Sequence, residues 1–111
     1  MDKGAEYRLA TYGTLAPGRP NHHKLDGLTG TWIEGVVRGR LVEQGWGADL
    51  GYPAIILDET AALVSVFIFE SDDLPDHWPE FDSFEGKEYV RTATWAETDT
   101  GRLRVSIYAL A

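Results

Sequence analysis

The end of the chain carries the strongest constraint on its fold. Leu103, Val105, Ile107 and Ala109 alternate with Arg102, Arg104, Ser106 and Tyr108. That period of two sets apolar side chains on one face of a strand and polar ones on the other. Tyr89 to Glu97 reads as a preceding strand, and Thr98-Asp99-Thr100-Gly101 as the turn between them. A hairpin whose last strand is half-buried is therefore predicted to close the sequence.

Further strands are legible upstream. Tyr7 to Tyr12 is a short β-prone run that stops at Gly13, and Gly13-Thr14-Leu15-Ala16-Pro17-Gly18 is a loop. From Thr31 to Glu43, the apolar residues Trp32, Ile33, Val36, Val37, Leu41 and Val42 are mixed with Gly35 and Gly39. This predicts a long strand, bent or bulged at its glycines, and strong curvature of that kind belongs to barrels. Gln44 to Pro53 is a loop containing Trp46 and Tyr52, Ala54 to Leu57 a short strand, and Asp58 to Ala61 a hairpin turn. Leu63 to Glu70 is almost continuously apolar, the pattern of a strand buried on both faces.

Two stretches read as helical. Asn21 to Thr29 has Asn21 as N-cap, and Leu74, Trp78, Phe81 and Glu85 follow at the spacing of one helical face. Ser71, Asp72 and Asp73 offer N-caps for the second stretch, and Gly86 offers a C-terminal cap. Pro79 predicts a kink or a restart within it. With 111 residues and no repeat or linker, residues 1–111 are expected to form a single α+β domain of about six strands and one or two short helices.

Composition narrows the chemistry. No cysteine is present, which excludes disulfides, zinc thiolate sites and a cysteine nucleophile, so stability must come from packing. Eighteen acidic residues against ten scattered basic ones leave a formal charge of −8, so neither nucleic acid nor an anionic membrane is an expected partner. No apolar run approaches a membrane span, and Met1 to Ala10 lacks a signal layout; a soluble, cytoplasmic protein is expected. No residue pattern specifies an oligomeric state.

Glu85 is the candidate for chemistry. On a core-facing stripe its charged form would be desolvated and its pKa raised, which suits proton transfer near neutrality; at a fraying helix end it would turn outward, and spacing alone leaves both open. The Gly13 turn offers unpaired backbone N–H groups that could hold a carboxylate or an oxyanion, or it is an ordinary connection. Without a Gly-Lys-Ser/Thr ending it is no phosphate loop. His22, His23 and His77 come with no converging ligand pattern, so no metal site is expected. Ser83 with His77 and Asp76 or Asp82 lacks the turn that exposes a nucleophilic serine, and Glu85 paired with Glu88 or Asp82 lacks a glycosidase signature.

Tyr12-Gly13-Thr14-Leu15 at the first strand's end, Gly51-Tyr52-Pro53-Ala54, and Asp82-Ser83-Phe84-Glu85-Gly86 followed by Tyr89-Val90-Arg91 resemble the motifs of the gamma-glutamylcyclotransferase-like (AIG2-like) superfamily. The resemblance covers nearly the whole chain. It implies a small mixed β-barrel flanked by helices, with a cavity between the first-strand loop and the glutamate. It also implies an enzyme that needs no cofactor or metal and cyclises a small gamma-glutamyl substrate to 5-oxoproline, releasing the attached amine or amino acid. By that resemblance Glu85 is the general acid/base. Tyr12, Gly13, Thr14 and Leu15 bind the substrate with Tyr89, and Arg91 is structural. Tyr-Gly-Thr-Leu in place of Tyr-Gly-Ser-Asn points to the branch acting on gamma-glutamylamines or other gamma-glutamyl conjugates. Ser65 stands where many relatives have glycine, and Ala111 directly follows the last strand, so the C-terminal segments that cover the cavity in some relatives are not expected. The alternative is a module on the same fold that binds a small ligand without turnover, with Glu85 held in a salt bridge by Arg91 or Lys87.

Overall fold

A computed structural model describes residues 4–12, 25, 27–42 and 54–110. The predicted loops at Gly13–Gly18 and Gln44–Pro53, with Trp46 and Tyr52, lie outside the described residues, as do His22, His23 and most of the Asn21–Thr29 helix. A 3₁₀ turn (Ala5–Tyr7) leads into β1 (Arg8–Thr11), then β2 (Thr31–Val42), β3 (Ala54–Leu57), β4 (Leu63–Glu70), α1 (Leu74–Glu85), β5 (Tyr89–Thr98) and β6 (Gly101–Leu110). Among the described residues, no helix is long and apolar enough to cross a membrane.

Five strands close on themselves in the order β2-β4-β1-β6-β5, and a Val36–Glu97 pairing returns β5 to β2. Among the described residues only the β1–β6 pairing is parallel, which makes this a small mixed barrel. The sixth strand, β3, lies against the far end of β2. β2 changes partner along its length: residues 31–38 pair with β4 and residues 39–42 with β3, the change falling at Gly39.

Gly35 lies beside the seam where the barrel closes. A Cβ there would stand 2.9 Å from the Glu97 carbonyl oxygen and 3.0 Å from Ile68 Cδ1. Backbone cannot yield as a flexible side chain does, so Gly35→Val should destabilise the fold by about 1–3 kcal/mol through overpacking. Thermal unfolding followed by circular dichroism reads this, and an unchanged midpoint would show that the seam opens at no cost.

Two apolar layers hold the fold. Inside the barrel, Val37, Ile55, Val66, Ile68, Val105 and Ile107 are buried. Outside it, Leu9, Phe69 and Tyr108 on the barrel wall meet Leu74, Trp78 and Phe81 of α1. β1 sits between these layers and is buried along its whole length, including Arg8, whose Nε donates to Glu70 at 2.7 Å.

Covering by α1 corrects two expectations. The apolar run of β4 predicts burial on both faces, yet Leu63 and Phe67 are 50% and 37% exposed, because the outer layer reaches Phe69 and stops short of Phe67. Alternation in the last strand predicts half-burial, yet all of Val105 to Ala109 is buried, because Ser106 turns to the 3₁₀ turn and Tyr108 to α1.

α1 forms because its apolar residues recur at helical spacing; Asp73 is its N-cap residue but makes no side-chain capping bond, and the start of the helix is instead tied to Thr29. Ser71 Oγ accepts the Asp73 N–H at 3.0 Å and donates to the Thr29 carbonyl, while Asp73 Oδ2 accepts the Thr29 N–H at 2.9 Å. Pro75 stands in the first turn, and the helix continues through Pro79 rather than restarting there. Pro79 is exposed, and its missing N–H deletes one helical bond on the outer side without disturbing the packed one. Gly86 ends the helix at φ 80°, a conformation that disfavours a side chain, and its N–H bonds the Asp82 carbonyl at 3.1 Å.

Candidate active site

The stripe that opens with Leu74 delivers Glu85 to the helix's last position, where it is half-buried. Burial pushes its carboxyl up from 4.5 to about 7. Water solvates a carboxylate far better than a protein wall does, so the neutral form gains. A group that exchanges its proton near neutrality follows.

Tyr12, just after β1, and Tyr108 of β6 both feel the charge of this carboxyl. The Tyr12 hydroxyl is pushed up, first by burial and then by the charges of Tyr89 and Glu85, against the opposing bond from Ile55. Tyr108 is pushed up by burial, then by its bond to Asp82 and the Asp82 charge, with Glu85 adding to it. Tyr12, Glu85 and Tyr89, distant in sequence, are thus brought within electrostatic reach of one another. Gly13, Thr14 and Leu15 lie outside the described residues, so Tyr12 is the described part of that motif. Its hydroxyl donates to the Tyr108 carbonyl at 2.6 Å and accepts the Ile55 N–H at 3.0 Å, fastening β3 to the barrel.

Arg91 has the structural place expected of it. Its Nε and Nη2 donate to Asp82 at 3.0 and 3.2 Å, and its guanidinium lies 4.5 Å over the Trp78 ring. Asp82 also accepts the Tyr108 hydroxyl at 2.6 Å, so it anchors the helix end to two strands. Ser83 is exposed and His77 lies 3.2 Å from the Asp73 carbonyl, which gives no hydrolase triad. Among the described residues no group of three or more His, Asp or Glu side chains could hold a metal ion.

Tyr108 was missed by sequence reasoning. Strand alternation assigns it to the polar face with Arg102 and Arg104, and only its aromatic ring hints that this face is covered.

A groove of about 440 Å³ lies elsewhere, lined by Glu34, Gly35, Ser65, Phe67, Glu97 and Asp99 among others. It includes none of Tyr12, Glu85 and Tyr89. Its carboxylates, Glu34, Glu97 and Asp99, are exposed, and the chemistry points to the helix end rather than to the groove.

The comparisons with known proteins agree with this architecture. The family model described as gamma-glutamyl cyclotransferase, AIG2-like, matches residues 9–111. No curated protein matches the chain. Among solved structures, YkqA from Bacillus subtilis is 25% identical with a TM-score of 0.72, covering 94% of this chain and 35% of its own. The chain thus spans about a third of the length of that protein. An AIG2-like protein from Mus musculus is 21% identical with a TM-score of 0.72, covering 95% of this chain and 77% of its own. A protein from Pyrococcus horikoshii is 20% identical with a TM-score of 0.59, covering 93% and 76%. With a family model spanning nearly its whole length and the same fold in these structures, the chain belongs to the gamma-glutamyl cyclotransferase, AIG2-like family.

Proposed function

We propose that the chain is a gamma-glutamyl cyclotransferase, converting a small gamma-glutamyl conjugate into 5-oxoproline and a free amine or amino acid. The observation that carries this reading is the half-buried Glu85, raised to about 7. The substrate's alpha-amine attacks its own gamma-carbonyl carbon, forming the ring's C–N bond. Glu85 accepts the proton that nitrogen loses. The tetrahedral intermediate collapses, its bond to the leaving nitrogen breaks, and Glu85 returns the proton to that nitrogen. One carboxyl group serves both transfers, and the nucleophile belongs to the substrate, so the entropic part of the barrier is small. Tyr89 hydrogen-bonds the substrate, while the backbone N–H groups of Gly13, Thr14 and Leu15 hold its alpha-carboxylate. The Tyr-Gly-Thr-Leu form supports a gamma-glutamylamine or another gamma-glutamyl conjugate as the substrate.

The binding-only alternative holds Glu85 in a salt bridge with Arg91 or Lys87; of these, Arg91 donates two of its nitrogens to Asp82. Release of 5-oxoproline from a panel of gamma-glutamylamines and gamma-glutamyl dipeptides tests the proposal. At least one should turn over, with kcat/KM rising through about pH 7 as Glu85 ionises into the form that accepts a proton. A folded protein that releases 5-oxoproline from none of them would end the proposal.

A further inference from the structure

Tyr108 makes two contacts of different kind. Its side-chain hydroxyl donates to Asp82 Oδ1 at 2.6 Å, and its backbone carbonyl accepts the Tyr12 hydroxyl at 2.6 Å. Asp82 precedes Glu85 by three residues on the same helix, and its own carbonyl accepts the N–H of Gly86, the residue after Glu85. The Asp82 carboxylate also takes both bonds from Arg91 of β5. Helix ends fray because their last carbonyls lack partners. Here the final turn is anchored through Asp82 to β5 and β6 together.

We infer that Tyr108 is a positioning residue that locks together the two halves of the candidate site, the helix end carrying Glu85 and the strand end carrying Tyr12. Tyr108 is 4% exposed, and its ring packs edge-on against Trp78 at 6.4 Å, so it is rigidly seated on the barrel wall. Its backbone fixes Tyr12 through β6, and its side chain fixes α1. Neither half then moves without the other. The electrostatics agree, since Glu85 acts on both Tyr12 and Tyr108. Among the described residues, the charged and titratable groups around Glu85 are Tyr12, which follows β1, and Tyr108 of β6, on both of which Glu85 acts, with Tyr89 of β5 acting on Tyr12, and Arg91 of β5 and Asp82 of the same helix acting on Tyr108. The consequence for turnover rests on the cyclotransferase reading; the consequence for Glu85 itself does not.

Tyr108→Phe isolates the side-chain contact, because it keeps the ring and the backbone carbonyl and removes only the bond to Asp82. The Glu85 carboxyl is followed by carbon-13 NMR titration in wild type, Tyr108→Phe, Asp82→Asn and Ser106→Ala. Ser106→Ala is the control. It deletes a buried hydroxyl bond, 2.8 Å to the Ala5 carbonyl, on the same face of the same strand. Loosening the helix end lets water reach the carboxylate, so Tyr108→Phe should lower the Glu85 pKa by about one or more, towards its ordinary value. Asp82→Asn should do the same, the double variant should fall no further than Asp82→Asn alone, and Ser106→Ala should titrate as wild type. An unchanged Glu85 titration in Tyr108→Phe overturns the inference, as does an equal change in Ser106→Ala. If Tyr108→Phe does not fold, Asp82→Asn is compared with Arg91→Ala, which removes the other partner of Asp82 and leaves Tyr108 bonded. A Glu85 pKa lowered by Asp82→Asn and not by Arg91→Ala supports the inference, and an equal lowering overturns it.

On a substrate that turns over, Tyr108→Phe should lower kcat about tenfold or more with KM held within about threefold, the pattern of a misplaced proton-transfer group. An unchanged kcat overturns the catalytic part. The titration needs no substrate, so an altered Glu85 titration in a protein that turns nothing over leaves Tyr108 in its role and removes the cyclotransferase reading alone.

Discussion

Glu85→Gln is expected to lower kcat by about a hundredfold to ten-thousandfold, the range of a positioned acid/base, and to leave the protein more stable than wild type above neutrality. The second effect follows from the same desolvation as the first. In the unfolded chain Glu85 ionises near 4.5, and in the folded protein near 7. Below 4.5 both states hold the proton and nothing is lost. Between the two values the folded state binds more protons than the unfolded one, so wild-type stability falls as pH rises through this window and levels off above about 7. The full difference is on the order of 2–3 kcal/mol, since each tenfold change in proton affinity corresponds to about 1.4 kcal/mol and a half-buried carboxylate keeps some water.

Glutamine has nearly the same shape and no charge to desolvate. The variant should therefore track wild type near pH 4.5 and exceed it by on the order of 2 kcal/mol at pH 8. Urea unfolding at both pH values measures the gap. A gap that does not grow with pH would mean a fully solvated Glu85, contradicting the burial on which the mechanism depends.

Trp78→Ala should be the most destabilising single change in α1. The indole is 5% exposed, its Nε1 donates to the Glu6 carbonyl at 3.0 Å, and its ring meets Phe81 and Tyr108 edge-on while Arg91 lies across it. Truncation removes the apolar burial, opens a cavity between helix and barrel, deprives the Glu6 carbonyl of its donor and removes the ring under Arg91, whose bonds to Asp82 remain. A cost of about 3–5 kcal/mol is expected, large against the roughly 5–15 kcal/mol that holds a domain of this size. Trp95 gives the contrast. It is 45% exposed, with Arg102 and Arg104 stacked over it at 4.6 and 5.0 Å. Trp95→Ala should cost below about 1 kcal/mol, because little surface leaves water there. Equal costs at the two positions would show that α1 does not hold the outer layer together.

Local rules made much of this fold readable. Alternation located β6, the run from Tyr89 to Glu97 before the Thr98–Gly101 turn located β5, the Leu74-Trp78-Phe81 stripe located the packed face of α1, and Gly86 marked its end, because each signal depends on residues close in the chain. Glu85 stood out by its place on the helical stripe, whereas Tyr12 and Tyr89 stood out only through the resemblance of their motifs to those of the family. Periodicity states which side chains share a face and is silent on what covers that face. Burial of both faces of β6, exposure of Phe67 in β4 and the change of partners along β2 therefore came from closure of the barrel and from where α1 lies on it. For Glu85 the sequence determined the residue type and its place on the helical stripe. Whether that stripe's last position meets water or protein depends on strands tens of residues away. The tertiary structure therefore decided that its carboxyl is half-buried and desolvated, and that Asp82, Arg91 and Tyr108 bind the helix end that carries it.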